Sequence, residues 1–133
     1  MFLDKLNNKE KEMFLDLAVY AAQSNGIVEE AEKEAIMGYC REMGVTFYDI
    51  SRLHPYQEVV EFFSSVSKEK KRIIIFEILG LCAIDGESDD VEEAFVDDFA
   101  EKIGFPEDTL ETLRRDISEY LIIFQIIRGH VIS

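Results

Sequence analysis

The spacing of apolar residues predicts helices along most of the chain. In the first of these, about Lys9 to Asn25, apolar side chains recur every three or four positions. The same pattern returns from about Lys68 to Asp85. Such spacing places the apolar side chains on one face of a helix. No stretch shows the sustained alternation of apolar and polar residues that is typical of strands, so the sequence predicts an all-α fold.

Glycines mark the predicted ends of the longer helices. Second helices are expected to begin at Glu29 and at Asp89. The first and second helices of the two halves are followed by Gly26, Gly44, Gly86 and Gly104. Glycine is favoured there because it adopts the left-handed backbone conformation that closes the last turn at little cost. Each half then continues with a short helix, at about 46–53 and 106–113, and a last helix, at about 55–65 and 116–127.

The elements follow in the same order in both halves, at an offset of sixty residues. Three markers agree at this offset without a gap: Asn25-Gly26 with Asp85-Gly86, Glu32 with Glu92, and Gly44 with Gly104. We therefore predict a single domain, residues 1–133, built as a bundle of seven to eight helices. Its two related units span about 9–67 and 69–127.

Composition narrows the classes of partner. The chain has 133 residues, 47% of them hydrophobic, and carries 28 Asp and Glu against 14 Lys and Arg, a net charge of −14. This apolar fraction is too high for a disordered acidic tail, and the acidic surface would repel nucleic acid. Cations or basic protein surfaces are the natural partners. With neither a signal peptide nor a run of apolar residues long enough to span a bilayer, a soluble cytoplasmic protein is expected.

Two segments resemble the signature of the TerB-like family, named for the tellurite-resistance protein TerB. They are residues 20–32 (YAAQSNGIVEEAE) and 81–92 (LCAIDGESDDVE). In that signature a helix ends in small residues, Asp-Gly and a short polar turn follow, and a new helix carries Glu near its third position. The resemblance covers roughly residues 9–127, although Asn25 replaces the usual aspartate and Glu29 is a poor helix cap.

The resemblance implies an all-helical bundle and a role in tellurite resistance or general stress resistance. It also implies divalent-cation binding at acidic positions and protein complexes near the inner membrane surface. The family also occurs in DjlA-type co-chaperones, but this chain has no J domain to carry that role. The resemblance does not imply an enzyme.

The acidic turn that follows the helix predicted at about Lys68 to Asp85 is the candidate metal site. Its candidate ligands are Asp85, Glu87, Asp89 and Glu92. Carboxylates at a turn can converge on a hard cation such as Ca²⁺ or Mg²⁺, but the spacing is not that of an EF-hand. Helix capping explains the same acids, since Asp89 and Glu92 form a capping-box pattern. No cofactor is therefore required, and a weakly bound Ca²⁺ or Mg²⁺ remains compatible with the pattern.

Other residues of types that can bind metals or take part in catalysis have simpler explanations. His54 and His130 share no spacing typical of metal ligands. Cys40 and Cys82 lie in apolar helical patterns and are expected to be buried. The acidic run at 97–101 is expected to form a solvated helix face.

The apolar segment from Tyr120 to Ile127 admits two interpretations. A helix that is apolar on nearly all sides is buried either in the core or at a subunit interface. The core is favoured because the corresponding segment of the first unit, Val59 to Phe63, is similarly apolar. The alternative predicts a homodimer through the C-terminal helix.

The sequence thus favours a non-enzymatic, cytoplasmic stress-response protein whose acidic surface binds an unidentified protein partner or a divalent cation. Two alternatives stay open. One is a metal-dependent hydrolytic enzyme that uses the acidic turn with His54. The other is a purely structural homodimeric helical protein.

Overall fold

A computed structural model describes residues 1–24, 26, 30–83 and 90–132. These residues contain helices and no strand, which confirms the all-α prediction. Two short 3₁₀ helices span Leu3–Lys5 and Ile50–Arg52. The α-helices within these described ranges are α1 (Asn8–Gln23), α2 (Glu30–Met43), α3 (Tyr56–Ser64), α4 (Lys68–Cys82), α5 (Asp90–Lys102) and α6 (Glu107–Val131).

Helices α1 and α4 form the centre of the bundle. Helix α1 packs against α2, α3, α4 and α5, and α4 packs against α1, α2, α5 and α6. Three consecutive isoleucines, 73–75, are buried in α4, so that helix is covered on more than one side. The aromatic side chains of Phe14, Phe63 and Phe99 are fully buried between these helices.

A capping box begins α1, at a position where the sequence analysis did not predict one. The Asn7 side chain accepts a hydrogen bond from the Glu10 backbone N–H at 2.8 Å, and the Glu10 carboxylate accepts one from the Asn7 N–H at 2.8 Å. Glu10 also pairs with Lys70 at 2.6 Å. This ion pair joins the first turns of the two central helices.

The predicted glycine ends of α2 and α5 are confirmed. Gly44 and Gly104 have φ angles of +70° and +73°, which glycine adopts without strain. After each glycine the next backbone N–H bonds back into the helix at 2.8 Å, from Val45 to Cys40 and from Phe105 to Ala100. The two ends are therefore alike, whereas the sixty-residue repeat as a whole stays a prediction. Gly86 lies outside the described residues.

Two predicted short helices differ in the structure. The expected helix at 46–53 is reduced to the single 3₁₀ turn Ile50–Arg52. The helices expected at 106–113 and 116–127 are one continuous helix, α6. No glycine or proline interrupts residues 107–128, so the backbone has no local reason to break there.

The C-terminal half of α6 is exposed, so the prediction that this segment belongs to the core is wrong. Leu110 and Ile117 are buried where the first half of α6 packs on α4 and α5. Beyond them the large apolar side chains from Tyr120 onward, except the partly buried Leu121, are at least 44% exposed. In α3, by contrast, Val59 and Phe63 are buried as expected. Among the described helices, none is both long enough and apolar enough to cross a membrane.

Candidate functional site

A groove between α5 and α6 combines acidic walls with an apolar floor. We call it the α5–α6 groove; its volume is about 530 Å³. Its walls carry the carboxylates of Asp97, Glu101, Glu107 and Glu111, and the guanidinium of Arg114. Its floor is formed by the buried side chains of Ala100, Phe105 and Leu110.

Local helix geometry places the acidic residues. Asp97 and Glu101 are four residues apart in α5 and therefore lie on one face. Glu107 and Glu111 are four residues apart in the first turns of α6 and share a face in the same way. The turn at Gly104 brings the two faces together, because its left-handed backbone ends α5 just before α6 begins.

Arg114 holds two of the four carboxylates in place. Its guanidinium lies 2.8 Å from Asp97 and 3.1 Å from Glu111. Partial burial opposes the charge of Arg114, but these two carboxylates outweigh the burial and raise the pKa of the guanidinium. Within the described part of the chain, Glu101 and Glu107 form no ion pair. Four carboxylates against one guanidinium leave the groove negatively charged.

The candidate metal ligands are only partly within the described structure. Asp85, Glu87 and Asp89 lie outside the described residues. Glu92 lies in the first turn of α5 and is buried, only 4% exposed.

Three buried side chains, Glu32, Cys82 and Glu92, influence one another electrostatically. Burial raises the pKa of the Cys82 thiol, and the Glu92 and Glu32 carboxylates raise it further. The thiol also donates a hydrogen bond to Glu92. Cys82 is thus buried as predicted, while Cys40 is partly exposed. Over the described ranges, no three His, Cys, Asp or Glu side chains are placed to hold a metal ion. The metal site at residues 85–92 stays a prediction.

The structure also shows a buried polar network that the sequence analysis missed. Asp16 in α1 is 2% exposed. Its carboxylate accepts hydrogen bonds from the Tyr48 hydroxyl at 2.6 Å and from the His54 backbone N–H at 3.0 Å. The same carboxylate lies 2.7 Å from Nδ1 of His54. The network fixes the segment 45–55 against α1.

Two further side chains of α1 lie near the His54 ring. Its second ring nitrogen, Nε2, lies 3.8 Å from Glu12 and 3.4 Å from Lys9. The His54 imidazole is therefore held in place by Asp16 at one ring nitrogen and lies near charged side chains at the other. The sequence did contain a signal for Asp16, since a carboxylate between Leu15 and Leu17 on a helix this apolar needs a buried partner.

No family model, no curated protein and no solved structure matches the chain. The resemblance to TerB-like proteins therefore stays a prediction.

Proposed function

We propose that this protein is a non-enzymatic binding protein whose α5–α6 groove takes a basic segment of a partner protein. The observation that carries the proposal is the pairing of four wall carboxylates with a buried apolar floor. A purely electrostatic surface would need only the acids. The apolar floor adds a place for the aliphatic part of a lysine or arginine side chain.

The arrangement suits a basic side chain in particular. Its methylene stem would lie over Phe105 and Leu110, while its charged head would reach Glu101 or Glu107. Arg114 already holds Asp97 and Glu111, so this part of the groove is ordered before a ligand arrives. An ordered site loses less entropy on binding. The net charge of −14 would also attract a basic partner from a distance.

The resemblance to TerB-like proteins supports the same class of function. It implies a stress-response or tellurite-resistance protein that works in complexes near the inner membrane surface rather than by catalysis. A basic segment exposed on another protein of such a complex is the partner we propose.

Binding of a labelled peptide tests this proposal. The probe is a fluorescein-labelled peptide that alternates arginine and leucine, with a matched peptide in which glutamate replaces arginine. We expect saturable binding of the basic peptide only. The variant with Glu101→Gln and Glu107→Gln should bind about tenfold more weakly, since each exposed ion pair contributes up to about 1 kcal/mol.

The matched control is a variant with Glu34→Gln and Glu61→Gln. Both of these residues are exposed, and they lie on α2 and α3, outside the groove. Their substitution changes the net charge by the same amount and should weaken binding by less than about twofold. Equal losses in both variants would mean that the peptide responds to overall charge and not to the groove.

A second candidate function is weak binding of Ca²⁺ or Mg²⁺ at the acidic turn of residues 85–92. The observation that favours it is the run of carboxylates Asp85, Glu87, Asp89 and Glu92, since hard cations bind through several oxygen ligands. Calorimetric titration of chelator-treated protein with each cation tests it. Saturable heat that disappears in the Asp85→Asn, Glu92→Gln variant would support a site, and the absence of saturable heat would leave these acids as helix caps.

A further inference from the structure

The C-terminal part of α6 presents an apolar surface. We call residues 120–132 the α6 tail. Eight large apolar side chains of the tail are between 44% and 74% exposed. Side chains of this size and exposure present on the order of 800 Å² in total, distributed around the helix. The largest apolar patch of a typical monomer is smaller, roughly 300–600 Å².

One row of these side chains leads back to the body of the protein. Tyr120, Phe124, Ile127 and Val131 are separated by four, three and four residues, so they lie on one face of α6. Tyr120 and Phe124 stack at 6.2 Å between ring centroids. Leu113, seven residues before Tyr120, continues the same face towards the N-terminus of the helix.

Leu113 also lines a second groove, which we call the Phe76 groove. Its volume is about 470 Å³. Its apolar lining includes Phe2, Ile73 and Phe76, and Phe2 packs edge-on against Phe76 at 5.7 Å. The charges on its rim balance, with Lys5 and Arg72 facing Glu69 and Asp116. The exposed row of the tail therefore runs directly into an apolar groove with a neutral rim.

We propose that a second copy of this chain covers the row of Tyr120, Phe124, Ile127 and Val131 on the α6 tail, as an antiparallel pair of α6 helices related by a twofold axis. If the helices cross at residue 122, Val131 of one copy lies level with Leu113 of the other, nine residues on either side of the crossing. Nine residues of helix span about 13.5 Å. The end of each tail thus reaches the Phe76 groove of the other copy, and Tyr120 lies level with the partner's Phe124.

Charge favours a second copy over other occupants. The chain has a net charge of −14, so most of its surface repels another copy and also an anionic membrane. The tail is an exception, because residues 120–132 contain neither Asp nor Glu and carry Arg128 as their one Lys or Arg. The α6 tail and the balanced rim of the Phe76 groove together let two copies meet without bringing acidic surfaces together. The α5–α6 groove stays open, since Glu107, Glu111 and Arg114 follow a different face of α6.

The mass in solution tests the proposal. Sedimentation or light scattering on the full chain at micromolar concentration should give twice the chain mass of 15.4 kDa. Ile127→Glu should return the mass to one chain with an unchanged helical circular-dichroism spectrum, because this side chain is exposed in the monomer. Ile50→Glu is the matched control: Ile50 is similarly exposed but lies outside α6, so this variant should stay dimeric.

The direction of the helices is tested separately with a spin label. The label is placed at Ile132→Cys in a Cys40→Ala background, since Cys40 is the partly exposed cysteine. An antiparallel pair crossing at residue 122 separates the two labels by about 30 Å, twenty residues of helix rise. A parallel pair would bring them within about 15 Å.

Three results would overturn the proposal. One is a monomeric mass for the unmodified chain at 100 µM, with or without binding of phosphatidylcholine vesicles through the tail. The second is equal loss of dimer in Ile127→Glu and Ile50→Glu. The third is a short distance between labels, which would exclude the seating of each tail in the partner's Phe76 groove.

Discussion

Asp16 and His54 are joined at two points, through the backbone N–H of His54 at 3.0 Å and through its ring Nδ1 at 2.7 Å. A carboxylate oxygen accepts hydrogen bonds, so this geometry suits an Nδ1–H donor on the ring. The Tyr48 hydroxyl donates to the other oxygen of Asp16 at 2.6 Å. One buried side chain thereby anchors both ends of a segment that has little regular structure of its own.

Asp16→Ala should lower the free energy of unfolding by about 1–3 kcal/mol. The reason is that Tyr48 and His54 would keep partly buried donors without an acceptor. Urea denaturation monitored by circular dichroism measures the change. Asp4→Ala, at an exposed acid in the first 3₁₀ helix, should change stability by less than about 0.5 kcal/mol. A similar small effect for Asp16→Ala would show that the network contributes nothing to the fold.

The capping box at the start of α1 should contribute measurably to the stability of the protein. Asn7→Ala removes the acceptor for the Glu10 N–H and should cost about 1 kcal/mol of stability. Asn8→Ala is a closely matched control, because Asn8 is the first residue inside the helix and is exposed. We expect the two midpoints of urea unfolding to differ. Equal midpoints would argue against the capping role of Asn7.

Stability should fall with rising pH in the alkaline range. Burial raises the pKa values of Tyr39, Tyr48 and Tyr56 above the ordinary value of 10.0, and that of Tyr56 reaches about 12. The folded state therefore keeps protons that the unfolded chain loses above pH 10. The stability is fully present below pH 10 and decreases as the pH rises through the folded pKa values.

Urea unfolding at several pH values between 9 and 11, combined with tyrosinate absorbance, checks this dependence. We expect the free energy of unfolding to decrease steadily above pH 10, with part of the tyrosinate signal appearing only on unfolding. A free energy that stays constant or increases over this interval would contradict the burial of these phenols.

Binding of the arginine–leucine peptide should depend on salt. The wall carboxylates of the α5–α6 groove are largely solvent-accessible, so their attraction for arginine is screened as the Debye length shortens from about 10 Å at 0.1 M to 3 Å at 1 M. Anisotropy titrations across this range should show a clear loss of affinity. A residual affinity at 1 M salt measures the contribution of the apolar floor, whereas a constant affinity would exclude the carboxylates as the source of binding.

The sequence predicted what depends on local pattern and missed what depends on packing. Apolar spacing gave the all-α class, and Gly44 and Gly104 marked two helix ends correctly. The polar network was missed because Asp16 contacts residues 32 and 38 positions away, at distances that no local pattern encodes.

The α6 tail shows a different limit. A helix that is apolar on nearly all sides has the same sequence pattern whether its own core or another molecule covers it. The α5–α6 groove shows a third limit of prediction from the sequence. The acids at 97–101 were visible as a charged face, but only the packing of α5 against α6 places them opposite Glu107 and Glu111 over an apolar floor.

The proposed function is tested most directly by an amide NMR titration of ¹⁵N-labelled protein with the arginine–leucine peptide. We expect saturable shift changes concentrated at residues 97–101 and 105–114, the lining of the α5–α6 groove, with one peptide bound per chain. Shift changes spread evenly over the acidic residues of α2 and α3, or no saturable change at residues 97–114, would contradict the assignment of this groove as the binding site.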